Sequence, residues 1–222
     1  AKIYVRNDGL ATRIQFNETS GQTARDSGPY KTTGKLTNGL SFGGSAPGKV
    51  ALALQRALGI GETASADFEG VGDPMEGSLS VSLCVKYAEV PTEKGVLICK
   101  GGTVIPNRFE NPRGGWFIGH TEDGRFRFAG NLQRDLWQNS EKFDRESSPT
   151  IEPETWYHIA MVIDRPNQVI RAWIDNEEVI NSNWTSHVPD GLINSTHSPL
   201  VIFNSEDQQN QGDWFGPATI DE

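Results

Sequence analysis

The stretch TWYHIAMVIDRPNQVIRAWIDNEEVI, residues Thr155–Ile180, decides the fold of this chain. Its first part, Trp156–Ile163, is rich in aromatic and β-branched residues and contains neither Gly nor Pro, which predicts a β-strand. Both alternating sets of this run are mostly apolar. We therefore expect the strand in the middle of a sheet, with both faces covered or with one face lining a groove. Turn residues at Asp164–Gln168 and at Asp175-Asn176 predict two further strands that fold back in succession, an antiparallel meander.

The composition of the 222-residue chain fits a single β domain with a packed core. Hydrophobic residues make up 36% of the chain and six Trp are present, enough for a sandwich of this length. The formal net charge of −9 disfavours nucleic acid and anionic membrane surfaces as partners. It also disfavours anionic polysaccharides unless a local basic patch or a metal ion reverses the field. No apolar run approaches the roughly 20 residues that cross a bilayer, so no membrane insertion is expected.

Short strand-like runs separated by turn residues continue along the chain. Asp123-Gly124 predicts a hairpin between Gly115–Thr121 and Arg125–Ala129, because this dipeptide adopts the positive φ angles of a tight turn. Residues 50–58 read as a weak strand or as one or two helical turns. Polar loops or long polar segments are predicted at 18–30, 59–77, 130–153, 181–199 and 205–214. About a dozen short strands at this spacing predict an all-β sandwich.

Two strand-like runs carry the two cysteines. Leu79–Tyr87 contains Cys84 and Gly95–Lys100 contains Cys99, with a short loop around Pro91 between the runs. If the runs form a hairpin, the cysteines face each other on adjacent strands, and a disulfide is possible at a Cα separation of about 4.4–6.8 Å. The alternative is that both cysteines are small buried apolar side chains.

Four stretches, taken in order, carry a family resemblance: IQFNETSGQTARDSG (Ile14–Gly28), the run Leu79–Lys100, WYHIAMVID followed by RAWIDNEEV, and GPATIDE (Gly216–Glu222). In these stretches the chain resembles the laminin-G-like and pentraxin-like jelly rolls of the concanavalin A-like lectin/glucanase superfamily. Cys84 stands where that group usually has Trp, and Asn176 replaces the usual turn Gly, which Asn tolerates because it also adopts positive φ. The resemblance implies an all-β fold, a two-sheet antiparallel jelly-roll β-sandwich. Chain length and the resemblance together predict a single domain over residues 1–222. We expect it to be excised from a larger protein, because the start and the unfinished last strand look like cut edges.

The acidic and nucleophilic residues do not follow the pattern of a catalytic site. Catalytic glucanases of this superfamily carry E-x-D-x-x-E on one strand, with carboxylates about 5–5.5 Å apart, and the chain has no such run. It has no G-x-S-x-G motif, and its four His lack metal-ligand spacing. Tyr157 and His158 point to opposite strand faces, which disfavours a Tyr/His lyase. An enzyme of the same fold, a glycoside hydrolase or polysaccharide lyase, stays the second hypothesis.

The resemblance also implies a calcium site. In many jelly rolls of this superfamily one ion, held by carboxylates and backbone carbonyls, ties the opening loop to the last strand. The matching residues are Asp26 and Asp221, with Asn17 or Glu18 nearby. The alternative is that Asp26 caps its own turn through an Asx hydrogen bond.

The Trp residues are the candidates for sugar stacking, because apolar sugar faces pack on aromatic rings while sugar hydroxyls need polar partners. Trp116, Trp156 and Trp173 lie on predicted strands, where we expect them in the core. The ligand-binding candidates are three Trp in polar loops and three amides near them: Trp137, Trp184, Trp214, Asn139, Asn183 and Asn210. The alternative for each loop Trp is that its ring closes an end of the sandwich.

The sequence thus predicts a non-catalytic carbohydrate-binding or adhesion module that recognises an extracellular glycan. We expect a secreted or cell-surface protein, since three N-x-S/T sequons, at Asn17, Asn183 and Asn194, suit such a surface. The expected partners are a polysaccharide or a glycoprotein glycan and other domains of the same chain, with no nucleic acid. A protein–protein interaction domain without a sugar site is a third hypothesis.

Overall fold

The computed structural model describes residues 13–28, 31–36, 40–43, 53–56, 66–68, 78–92, 95–101, 115–131, 142–164, 166–183, 200–203 and 218–221. These residues form fifteen β-strands. Within these ranges no helix has the length and apolar character needed to cross a membrane.

The strands are numbered in chain order, and most are short. They are β1 (Thr23–Arg25), β2 (Thr33–Leu36), β3 (Ser41–Gly43), β4 (Ala53–Arg56), β5 (Ala66–Phe68), β6 (Leu79–Tyr87), β7 (Gly95–Gly101), β8 (Gly115–His120), β9 (Arg125–Asn131), β10 (Lys142–Thr150), β11 (Trp156–Asp164), β12 (Val169–Ile174), β13 (Glu177–Asn183), β14 (Leu200–Ile202) and β15 (Ala218–Asp221).

The strands form two sheets. The first has eight strands in the order β1-β2-β5-β14-β7-β8-β9-β10, and the second has seven in the order β13-β12-β11-β6-β15-β4-β3. Neighbouring strands pair antiparallel in both sheets. Apolar side chains from both sheets join in one buried cluster, so the sheets pack face to face. The predicted fold class, a two-sheet antiparallel jelly-roll sandwich, is confirmed.

Strand β11 has the central position that its two apolar faces predict. It pairs with β6 on one side and with β12 on the other, and β12 pairs with β13, so the meander is confirmed. The turn between β12 and β13 has Asp175 at φ 50° and Asn176 at φ 71°. Two consecutive positive φ angles characterise the type I′ turn of a two-residue hairpin, and Asn176 fills the place usually taken by Gly.

Side-chain alternation along the central strands builds the core between the sheets. On β11, Tyr157, Ile159, Met161 and Ile163 face inward and are at most 8% exposed. From the opposite sheet, Phe126 of β9 meets Tyr157 edge to face, with ring centroids 5.3 Å apart. Complete burial of an apolar side chain of this size contributes roughly 1.5–3 kcal/mol to stability. This inward-facing layer therefore fixes which face of β11 points away from the core.

The predicted hairpin between the two cysteine-bearing strands is wrong. β6 pairs with β11 and β15, whereas β7 pairs with β8 and β14, so the connection from β6 to β7 crosses from one sheet to the other. Cys84 and Cys99 consequently lie in different layers, and neither forms a disulfide. Cys99 is buried, as the alternative predicted, and Cys84 is half-buried. A short loop with turn residues fits both kinds of connection, which is why the local sequence favoured the wrong one.

Strand β10 lies within the segment 130–153 that the sequence predicts as a loop. It pairs with β9 at the edge of the eight-stranded sheet, with an irregular register between Glu146 and Thr150. Pro149 falls within this irregularity, where Pro is tolerated because the ladder is interrupted there. The strand sequence, KFDRESSPT, shows no hydrophobic alternation, so the pattern that reveals a strand was missing.

Three short strands also correct the sequence-based assignment. β1 and β5 lie in the predicted loops 18–30 and 59–77, and β4 forms where residues 50–58 allowed a helical alternative. Strands of three or four residues are too short for a period of two to be recognised. Each of them is defined by its neighbours in the sheet rather than by its own pattern.

Glycine is required at two positions of the eight-stranded sheet. Gly124 has φ 73° in the turn between β8 and β9, which confirms the predicted hairpin. At Gly119 the strands β7 and β8 approach so closely that an added Cβ would lie 2.1 Å from the carbonyl oxygen of Gly95. Side chains other than hydrogen are therefore excluded at Gly119.

Candidate functional site

The sequence-predicted sugar-binding residues fall mostly outside the described part of the chain. Five of the six lie there and stay predictions: Trp137, Trp184, Trp214, Asn139 and Asn210. Asn183, the sixth, ends β13 at the edge of the seven-stranded sheet and is exposed.

Asp26, the first predicted calcium ligand, holds its own loop together. Its Oδ1 accepts hydrogen bonds from the backbone N–H of Gly28 at 2.6 Å and from that of Arg13 at 2.8 Å. Its Oδ2 lies 3.5 Å from the hydroxyl of Thr32, and the residue is 4% exposed. The bond to Gly28 is the Asx turn that the sequence offered as the alternative to a metal.

Asp221, the second predicted ligand, lies in the other sheet. It ends β15 opposite Cys84, whereas Asp26 follows β1 at the edge of the eight-stranded sheet. Glu18 lies near Asp26: its Oε1 accepts the N–H of Arg25 at 2.8 Å, and its Oε2 is buried with no hydrogen-bond partner among the described residues. Side chains of His, Cys, Asp and Glu do not gather in groups of three within the described ranges. Calcium therefore stays a prediction.

The seven-stranded sheet presents a second face, opposite to the core. The outward side chains of β6, β11 and β12 form what we call the open face: Ser80, Ser82, Cys84, Lys86, Trp156, His158, Ala160, Val162, Asp164, Val169, Arg171 and Trp173. All of them are half-buried or exposed. An antiparallel sheet with one face on the core and the other toward water shows this alternation.

Two indole rings lie on the open face. Trp156 pairs with Lys86 on β6, and Trp173 pairs with Ala160 on β11, so both side chains leave the sheet on the side away from the core. Both are half-buried, and the prediction that they belong to the core is wrong. Trp116, by contrast, is 2% exposed, as predicted. The sequence contained the signal, because successive side chains of a strand point to opposite faces. Trp156 therefore lies on the face opposite to Tyr157 and the aliphatic residues that fill the core.

The register sets the distance between the two rings. Ala160, the partner of Trp173, follows Trp156 by four positions on β11. At about 3.3 Å per residue and about 4.8 Å between strands, the Cα atoms of the two Trp lie roughly 14 Å apart. Between them the open face carries His158 on β11, Ala160 lies directly beside Trp173, and the short side chains Cys84 and Ser82 flank the strip on β6. The rings thus bound a shallow strip lined by small and polar groups.

Each cation of the open face has a carboxylate neighbour. Lys86 Nζ lies 2.5 Å from Oε2 of Glu154 and 6.0 Å from the centroid of the Trp156 ring. Arg171 Nε lies 3.8 Å from Oε1 of Glu178. Exposed pairs such as these contribute about 0–1 kcal/mol to stability, but they cancel charge locally. The strip between the indoles is therefore flanked by neutralised cations.

Two Tyr/His combinations lie within the described residues: Tyr157 with His158 on β11, and Tyr87 with His120 in the core. Tyr157 is buried and its hydroxyl oxygen accepts the N–H of Glu152 at 2.8 Å, whereas His158 is exposed, so the predicted opposite orientation is confirmed. In the core, the hydroxyl of Tyr87 contacts Nδ1 of His120 at 2.8 Å. Burial raises the pKa of Tyr87 well above its ordinary value. Both residues are at most 1% exposed, which keeps a substrate away from them.

A laminin-G family model of the Concanavalin A-like lectin/glucanases superfamily matches residues 61–222, more than half of the chain. A comparison with curated protein sequences finds no match.

Three solved structures are similar over most of the chain. A sialidase of Trypanosoma rangeli in complex with sialic acid has a TM-score of 0.60 at 12% identity, covering 98% of this chain and 30% of the sialidase. Domain 4 of a GH43 extracellular arabinanase from Geobacillus stearothermophilus, in complex with arabinotriose, has a TM-score of 0.55 at 17% identity, covering 96% of this chain and 92% of that domain. Domains LG4-5 of the mouse laminin α1 chain have a TM-score of 0.54 at 12% identity, covering 80% of this chain and 43% of that one.

These similarities concern the fold, since all three identities are low, and this chain spans less than a third of the sialidase. The match of the family model agrees with the two antiparallel sheets of the structure. The chain belongs to the concanavalin A-like lectin/glucanase superfamily.

Proposed function

We propose that the chain is a non-catalytic glycan-binding module and that the part of the open face from Trp156 to Trp173 holds the sugar. One observation carries the proposal: Trp156 and Trp173 leave the same face of the sheet, each half-buried, with the polar His158 and the small Ala160 along β11 from one ring to the other. Half-exposed indoles on a solvated sheet face retain ring area that a ligand can cover.

The chemistry of the open face suits a sugar. The C–H faces of a sugar ring pack against an indole, and its hydroxyls require donors and acceptors close by. His158 and Ser82 supply such groups beside the rings, and Lys86 adds N–H donors at the Trp156 end. The arabinanase domain, which was solved with arabinotriose, supports the proposal as a protein of the same fold.

The loop residues give a competing location for the same function. Trp137, Trp184 and Trp214, with Asn139, Asn183 and Asn210, would form a site at the rim of the sandwich. Either location suits a secreted or cell-surface module joined to other domains. A glycoside hydrolase or polysaccharide lyase of the same fold and a protein-interaction domain are the other functions that the test must separate.

The test is a glycan array followed by titration of the best glycan against single variants. We expect Trp156→Ala and Trp173→Ala to weaken binding about tenfold each, the equivalent of roughly 1.4 kcal/mol. Val169→Ala, on the open face but at its far end, is the matched control and should bind as the parent does. Circular dichroism and thermal unfolding establish that each variant is folded.

The outcomes separate the hypotheses. Loss of binding in Trp137→Ala, Trp184→Ala or Trp214→Ala, with the open-face variants unaffected, would move the site to the rim. Release of reducing ends or unsaturated products from the bound glycan would identify an enzyme. A folded chain that binds no glycan would refute the proposal.

A further inference from the structure

We infer that the ligand of the open face is an uncharged, linear glycan whose internal sugar units lie across β11 and β12 from Trp156 to Trp173. This inference rests on the proposed function and specifies the class of glycan. It separates two chemistries found among proteins of the same fold, a sialic acid and an arabinotriose.

The charges of the open face argue against an acidic sugar. Binding a carboxylated sugar requires a cationic side chain that can pair with the carboxylate, usually the guanidinium of an Arg, which binds it through two N–H groups. Lys86 is paired with Glu154 at 2.5 Å, and Arg171 has Glu178 at 3.8 Å. Recruiting either cation to a ligand would leave its carboxylate partner beside the incoming negative charge.

The carboxylate of Asp164 and the net charge of the chain also argue against an acidic sugar. Asp164 lies on the open face, where its carboxylate accepts hydrogen bonds from the backbone and side-chain amides of Asn167. The described part of the open face thus adds a carboxylate and no further cation, and the whole chain has a formal net charge of −9. An anionic glycan would approach an unfavourable field, whereas an uncharged one would not.

The separation of the rings argues for a chain rather than a terminal sugar. The two Trp lie roughly 14 Å apart between Cα atoms, a span that one monosaccharide cannot cover. Ala160 and Ser82 are short and occupy paired positions beside Trp173, so the backbone of the sheet lies near the surface there. A glycan can therefore pass from one ring to the other over short side chains, with His158 as the larger polar group on β11 along its path.

The experiment measures affinity by titration calorimetry against a neutral oligosaccharide series of one to six units, with arabino-oligosaccharides as the first series. Sialyllactose and a polyuronate fragment serve as the charged probes. We expect affinity to rise about tenfold or more from the monosaccharide to the trimer or tetramer and then level off. Because no ion pair with the ligand forms, we expect less than about a twofold change in affinity between about 50 and about 500 mM NaCl.

A steric variant tests the path of the chain without removing a ring from the fold. Ala160→Gln places a longer polar side chain between the two indoles and should weaken binding of the long oligosaccharide about tenfold, with little effect on the monosaccharide. Val169→Gln makes the same kind of change at the far end of the open face and should leave affinity unchanged.

The contradicting results are distinct from those that refute glycan binding itself. Salt-sensitive binding of the charged probes alone would overturn the inference and leave the proposed function in place. Full affinity for the monosaccharide, or an unaffected Ala160→Gln variant, would do the same. Absence of binding to every glycan by the folded chain would remove both proposals.

Discussion

The carboxylate of Asp175 accepts a hydrogen bond from the backbone N–H of His158, with 2.8 Å between Oδ1 and N. The N–H of Asp175 in turn donates to the carbonyl oxygen of His158 at 2.9 Å. The β12–β13 turn is thereby fastened to β11 at the residue that lies between the two indoles of the open face. The turn thus supports the register on which the spacing of Trp156 and Trp173 depends.

Replacing Asp175 should loosen this junction. We expect Asp175→Ala to lower the free energy of unfolding by about 1–2 kcal/mol, because it removes the hydrogen bond and places Ala at positive φ. Asp175→Asn is the control, since Asn retains the acceptor and tolerates positive φ. Urea denaturation measures both changes, and equal effects of the two substitutions would contradict the assigned role.

Gly119 should tolerate no larger residue. We expect Gly119→Ala to lower the free energy of unfolding by roughly 2–4 kcal/mol, since its Cβ would lie 2.1 Å from a backbone oxygen of β7. Gly21→Ala is the control: Gly21 has φ 100° but no atom within 4 Å of an added Cβ, so only backbone strain of about 1–2 kcal/mol is expected. Similar losses in both variants would show that β7 and β8 are not in such close contact.

Tyr87 should make the fold sensitive to alkali. Burial raises its pKa in the folded state, so above about pH 10 the unfolded chain releases a proton that the folded chain retains. The stabilisation is fully present below that pH and is lost as the pH rises toward the folded-state pKa. Denaturation at pH 8 to 11 should show this decline, and Tyr87→Phe should reduce its slope. Tyr87→Phe also removes the bond to His120, which lowers stability by about 0.5–1.5 kcal/mol at neutral pH.

Asp123 should titrate below the usual range of an aspartate. The hydroxyl of Thr121, 2.5 Å from Oδ1, is the main cause of its lowered pKa, and the charge of Arg125 contributes less. The effect on stability is present above the ordinary pKa and is lost as the pH falls through the lowered one. NMR titration of the carboxyl carbon should show a higher pKa in Thr121→Val and little change in Thr121→Ser. An unchanged pKa in Thr121→Val would contradict the assignment.

The calcium prediction has a direct thermal test. If Asp26 and Asp221 bind the ion, with Glu18 near Asp26, calcium should raise the melting temperature relative to the chain in EDTA, by an amount that grows with calcium concentration. Glu18→Gln should reduce that gain, because it replaces a buried carboxylate oxygen without a partner. Asp26→Asn retains an oxygen that accepts the hydrogen bonds of the turn but removes the negative charge. It should therefore keep the loop formed while weakening ion binding. Identical melting curves in calcium and EDTA would refute the site.

The meander β11–β13 and the hairpin β8–β9 could be predicted from the residue types within these segments alone. The run Trp156–Ile163 has the composition of a strand, and the two-residue turn Asp175-Asn176 sets how β12 and β13 begin to pair next to the turn. The β8–β9 hairpin was predictable for the same reason. In both cases the partner strand is adjacent in sequence.

The errors arose where the partner strand is distant. β6 pairs with β11 and β15, which both lie far along the chain. The residues around Pro91 do not indicate that the next strand belongs to the other sheet. The polar sequence of β10 suits a strand at the edge of a sheet, and it carries no hydrophobic alternation from which the strand could be predicted. For the site, the sequence shows that Trp156 and Tyr157 lie on opposite faces of their strand. It does not show which of the two faces packs against the core.

The separation of Cys84 and Cys99 into different layers bears on what stabilises the domain. Its architecture relies on apolar packing and strand pairing rather than on an oxidised covalent cross-link. We therefore expect the free energy of unfolding of the domain to be the same with and without a thiol reductant.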